Sequence, residues 1–97
     1  MTAYEQAIAR LRAIRDAVNA LDLAGATAQL VEHDRQLREA LAASPSALAI
    51  SEAESLRHAQ AALLDQLEAV RDRVERESQQ AHRGGAAVRA YLGNAGG

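Results

Sequence analysis

The stretch "SEAESLRHAQAALLDQLEAVRDRVERESQQAH", residues 51–82, decides the fold. Leu56, Gln60, Leu63, Leu67, Val70, Val74 and Ala81 follow one another in it at steps of three, four and seven. Apolar residues at those intervals line one face of a helix with 3.6 residues per turn. No Gly or Pro interrupts the run. Ser51 and Glu54 have the spacing of a capping box, in which each side chain satisfies the other's backbone N–H. At the far end, Arg83 is followed by Gly84 and Gly85, and Gly is favoured just past a helix C-terminus. The run therefore reads as one helix on the order of 45 Å long, the spine of the molecule.

Upstream, "ASPSALAI" (43–50) holds the single proline, Pro45. The residue before a proline is pushed out of the α region, so the preceding helix ends near Ser44. That second helix opens at Asp22, a side chain able to accept from the unpaired N–H groups of a first turn. Leu23, Leu30 and Leu37 recur every seven residues, interleaved with Thr27, Asp34 and Leu41, while Gly25 weakens the start. Asp34 and Gln60 are polar residues on otherwise apolar stripes. Each reads as a partly exposed seam position or as a device that fixes helix register. A first helix covers about residues 3–20, with Tyr4, Ala7, Ile8, Leu11, Ile14, Val18 and Leu21 on one face. The break between these two helices is weakly marked, and one long bent helix is the alternative.

The predicted architecture is all-α: an elongated antiparallel helical hairpin or three-helix bundle with a short C-terminal fourth helix. Residues 1–83 form the bundle domain. Residues 84–97 form a hinge at Gly84 and Gly85, a short helix and a flexible tail. In that tail Val88, Tyr91 and Leu92 stand at i, i+3, i+4 and make a small apolar knob.

Composition narrows the function. The 97 residues suffice for one small domain, and 24 of them are Ala and 12 Leu, with no Phe or Trp, so the core is thin. All 11 basic residues are Arg, alternating with acids as in "RDRVERE" (71–77) at a net charge of −2. A charge-mixed helix face is a solvated surface, not a stripe for phosphates, and nucleic acid is not an expected partner. Without cysteine there is no disulfide and no thiolate metal site. No signal peptide is visible, and no apolar run approaches the roughly 18 residues of a membrane helix. A cytoplasmic location without membrane insertion is the expectation.

Nothing assembles a catalytic constellation. A carboxylate-bridged metal bundle needs Glu three residues before His, but Leu30, Ser55 and Gln79 precede His33, His58 and His82 at that distance. No Gly-rich loop follows a strand to cradle a phosphate. The reading is a protein-binding module with no catalytic residue, cofactor or metal. Its candidate groove is lined by Leu30, Leu37, Leu41, Leu63, Leu67, Val70 and Val74. The knob of Val88, Tyr91 and Leu92 either packs permanently and closes the bundle end, or frays as termini do, or, through the freedom of the two glycines, swings over that groove as a lid.

"LDLAGATAQLVEHDRQLREAL" (21–41) resembles the segment of flagellar type III export chaperones in which an acidic and an apolar residue with spaced leucines open a helix, with an arginine further on. Here these are Asp22, Leu23, Leu30, Arg35 and Leu37. The end "AAVRAYLGNAGG", with Ala90 and Tyr91 before a Gly-rich stretch, resembles the terminus of the filament-cap chaperone family. Leu23 stands where such chaperones often carry Trp, and the chaperone family of the hook–filament junction proteins shares the helical pattern. The resemblance implies an escort that holds a flagellar export substrate, the filament-cap protein first, and delivers it to the export ATPase and gate, with the last helix as a lid. Two other readings stand beside it: a homo-oligomeric helical scaffold or adapter without cargo, and a regulator that binds a transcription factor. A homodimer is expected, because a thin core leaves apolar stripes to cover.

Overall fold

The computed structural model describes the backbone of residues 1–95 and the side chains of residues 1–83. The described chain is three α-helices: α1 (Ala3–Asn19), α2 (Leu23–Ala43) and α3 (Ile50–Ala95). Thr2 caps α1, its hydroxyl accepting from Glu5 N–H at 3.1 Å. Asp22 caps α2, accepting from Gly25 N–H at 3.0 Å. A Cβ on Gly25 would fall 2.1 Å from the Asp22 carboxylate, so the glycine that looks weak for a helix is what admits the cap.

The turn between α1 and α2 is a Schellman motif. Asp22 N–H reaches Ala17 C=O at 2.9 Å and Leu21 N–H reaches Val18 C=O at 3.0 Å, with Leu21 left-handed at φ 62°. That position ordinarily belongs to Gly, which is why the break is faint in the sequence.

The start of α3 differs from the Ser51–Glu54 capping box. The helix begins one residue earlier, at Ile50, and Glu52 reaches back to accept from Ala49 N–H at 2.9 Å. Glu52 is the third helical residue, the place from which a carboxylate can meet the N-cap amide.

The far end of α3 also differs. The helix does not stop at Arg83 but runs through Gly84 and Gly85 to Ala95, so no separate fourth helix follows. Each glycine weakens a helix by about 1 kcal/mol, and Ala81 before them with Ala86 and Ala87 after them favour continuation. No proline follows to end it. At 1.5 Å per residue, 46 residues span about 69 Å, which accounts for the 74 × 18 × 17 Å shape of the molecule.

The helices run up, down and up. Arg10 meets His33 and Gln36 across the antiparallel α1–α2 pair. Tyr4 lies beside Ser55 at one end and Gln66 donates to Asn19 at 2.9 Å at the other, so α1 and α3 are parallel. Helix α1 is central and packs on both others. Ala7, Leu11, Ile14, Val18, Ala26, Leu56, Leu63 and Leu67 form the core, with Tyr4, Ile8, Leu23, Leu30, Leu37, Leu48 and Val70 packed half-buried around it. Because α1 ends beside Gln66, the core ends there too. From Arg71 to Arg83 only Val74 is partly covered, and α3 leaves the bundle as a lone polar helix.

Candidate protein-binding site

The residues of the candidate groove divide among three places. Leu63 and Leu67 are core residues, almost fully buried. Leu30, Leu37 and Val70 pack against the core. Leu41 joins Leu37, Leu48, Ala53, Leu56, Arg57 and Gln60 around a notch of about 220 Å³ between α2 and α3. Val74 lies half-buried farther along α3. The side chains of Val88, Tyr91 and Leu92 are outside the described residues, and the hinge positions Gly84 and Gly85 lie within the helical backbone of α3.

The open apolar surface is elsewhere, in a cleft of about 370 Å³ between α1 and α3. Ile8, Leu11 and Leu63 form its floor, and Ala59 and Ala62 keep the α3 wall low. Arg12, Arg15 and Gln66 stand around it, and no carboxylate lines it. Among the described residues neither arginine is ion-paired; the ion pairs all lie on α2. The cleft is thus apolar below and cationic at the rim, on a chain of net charge −2. It sits on the side of α1 away from Arg10 and Ile14, which face α2. Two parallel helices with an unfilled furrow between them offer the seat a further helix takes in a four-helix bundle.

The far face of α2 is a solvated ion-pair row. Arg35 bridges Glu32 and Glu39, and Arg38 meets Asp34 at 3.0 Å. The Arg35 hydrogen bond, followed by that of Gln36, holds Glu32 down at a pKa of about 2. Asp34 therefore pairs within its own helix, at a half-exposed position.

The polar layer of the bundle centres on His33, which is 0% exposed. Arg10 Nε donates to His33 Nδ1 at 3.1 Å, and Arg10 Nη1 donates to Gln36 Oε1 at 3.1 Å. Reading the α2 stripe as Leu23, Leu30 and Leu37 left His33 out. The signal was its place three residues after Leu30 and four before Leu37, on the same face. Arg12 and Arg15 lie off the apolar stripe of α1, and a rim residue is recognisable only once α3 lies beside it.

Among the described residues no group of three or more His, Asp or Glu could hold a metal ion, and no helix is long and apolar enough to cross a membrane. No family model, curated protein or solved structure matches this chain.

Proposed function

We propose that this chain is a non-catalytic escort that holds an amphipathic helix of a partner protein in the α1–α3 cleft. The observation that carries this reading is the cleft itself: an apolar-floored furrow between α1 and α3 with Arg12 and Arg15 at its rim and no acid in its wall. The chemistry it suits is helix-in-groove recognition, with apolar anchors on Ile8, Leu11 and Leu63 and an acidic flank towards the two arginines. Resemblance to the flagellar export chaperones supplies the candidate partner, the filament-cap protein, and the destination, the export ATPase and gate in the cytoplasm.

Three apolar side chains of the partner helix, buried on that floor, contribute roughly 1.5–3 kcal/mol each. Association costs about 4–15 kcal/mol, so at best about 5 kcal/mol remains, a Kd on the order of 0.2 mM or weaker. Weak holding suits a carrier that must release its load. In this reading the lid role of Val88, Tyr91 and Leu92 requires α3 to bend at Gly84 and Gly85, adjacent weak helix formers just before the knob.

The test is calorimetric titration of the full chain with the C-terminal helical segment of a filament-cap protein, at low and at high salt. Binding that weakens with salt and is lost in Arg12→Glu/Arg15→Glu supports the reading. Absence of binding at millimolar peptide, or binding indifferent to both arginines, refutes it.

A further inference from the structure

A fully buried histidine at the crossing of three helices is not needed by any groove. An apolar residue would fill the same space without the unpartnered Nε2, at the cost of the bond from Arg10. Its bonding defines its protonation. Nδ1 accepts from Arg10 Nε at 3.1 Å, and an imidazole nitrogen that accepts carries no proton, so the ring is neutral with its hydrogen on Nε2. Nε2 closes no hydrogen bond, and Gln60 of α3 is the polar side chain beside it. One ring thus ties α2 to α1 through Arg10 and meets α3 at Gln60.

We propose that His33 is an acid-operated latch: a proton taken from solvent onto Nδ1 turns the acceptor facing Arg10 into a donor and drives the guanidinium out of the three-helix junction. One proton is gained, the Arg10–His33 hydrogen bond is lost, and no covalent bond changes. Two N–H groups then point at each other and two positive charges share a buried site, so the layer that holds α1 and α2 together comes apart.

The charges around the ring set its sensitivity. From α1 it faces the Arg10 cation; from its own helix it feels Asp34; from α3 it meets the neutral Gln60. Burial first and Arg10 second hold the ring's pKa below the ordinary 6.5, while Gln60 and Asp34 pull it back in part. With the folded value below the unfolded one, stability is complete above about pH 6.5 and falls as the pH drops from there to the folded pKa. The folding constant falls by up to about tenfold per pH unit in that window. Glu32, an α2 acid that feels the Arg10 charge, stays ionised throughout because its pKa is held down at about 2.

The full chain decides this by urea unfolding at pH 7.5 and 5.5, alongside His33→Gln, whose side-chain oxygen can still accept from Arg10 but does not titrate. The wild type should lose severalfold, up to about tenfold, in its folding constant over the acidic unit, and His33→Gln less than twofold. Equal losses in the two proteins overturn the latch. Should His33→Gln fail to fold, ring ¹⁵N shifts of the wild type decide instead, with the exposed His58 and His82 as internal references. A neutral ring protonated on Nε2 at pH 7.5, titrating below 6.5 and moving upward in Arg10→Met, upholds the latch. A ring that is charged at pH 7.5, or is indifferent to Arg10→Met, overturns it.

Discussion

Leu56→Ala tests whether the thin core carries the stability of the bundle. Leu56 is 1% exposed and stands near the start of α3. Setting aside Ala7 and Ala26, the eight-residue core has six larger side chains: Leu11, Ile14, Val18, Leu56, Leu63 and Leu67. Truncating a buried Leu costs roughly 2–5 kcal/mol, transfer and residual cavity together. A chain of this length has about 5–15 kcal/mol to lose, and a core this small argues for the low end. A loss of about 3 kcal/mol lowers the melting point by roughly 12–24 °C in a domain of this size. The control is Leu64→Ala, one position from Leu63 but 43% exposed, where the loss should be about 1 kcal/mol or less. The assay is urea unfolding followed by the fluorescence of Tyr4, which packs on the core beside Ser55, in a Tyr91→Phe background. That probe reads the bundle separately from the lone distal helix, which circular dichroism would mix in. Losses for the two variants within 0.5 kcal/mol of each other, at equal denaturant slope, would refute the core assignment.

Leu21→Gly should stabilise the chain by about 0.5–1 kcal/mol: the left-handed turn costs a leucine roughly 1–2 kcal/mol, and the added freedom of unfolded glycine returns part of the gain. A loss of stability in the same unfolding assay would mean that the side chain's packing outweighs the strain. Gly84→Ala/Gly85→Ala should raise helical ellipticity by strengthening a helix that already runs through both positions, at up to about 1 kcal/mol per site. Cargo affinity should change less than twofold, whereas a tenfold gain would show that a closed lid is well populated and that stiffening removes it.

The helical content was legible because the cues were local. The 56–81 stripe, Pro45 and Asp22 each specify an element or its end, and each element is present. Two boundaries were misread for different reasons. Gly84 and Gly85 looked like a stop, but helix propensity is a small term and the surrounding alanines outvote it. Ser51 and Glu54 had the right spacing for a cap, but the pair that meets is two residues upstream, Glu52 with the Ala49 amide. The candidate site was far less legible. A stripe shows which face of a helix is apolar, not which neighbour covers it. Leu63 and Leu67 therefore looked available when α1 buries them, and Ile8 with Arg12 and Arg15 became a cleft only through the parallel placement of α1 and α3. His33 was passed over because histidine was weighed as a metal ligand, whereas its role depends on Arg10, 23 residues away in sequence.

Methyl-resolved NMR of the isoleucine and leucine side chains during cargo titration tests the open cleft most directly. Ile8, Leu11 and Leu63 should shift in step with one another, while Leu37, Leu41 and Leu48 around the α2–α3 notch stay in place. Shifts confined to Leu37, Leu41 and Leu48, with Ile8 and Leu11 unmoved, would contradict the α1–α3 cleft as the seat of the partner helix.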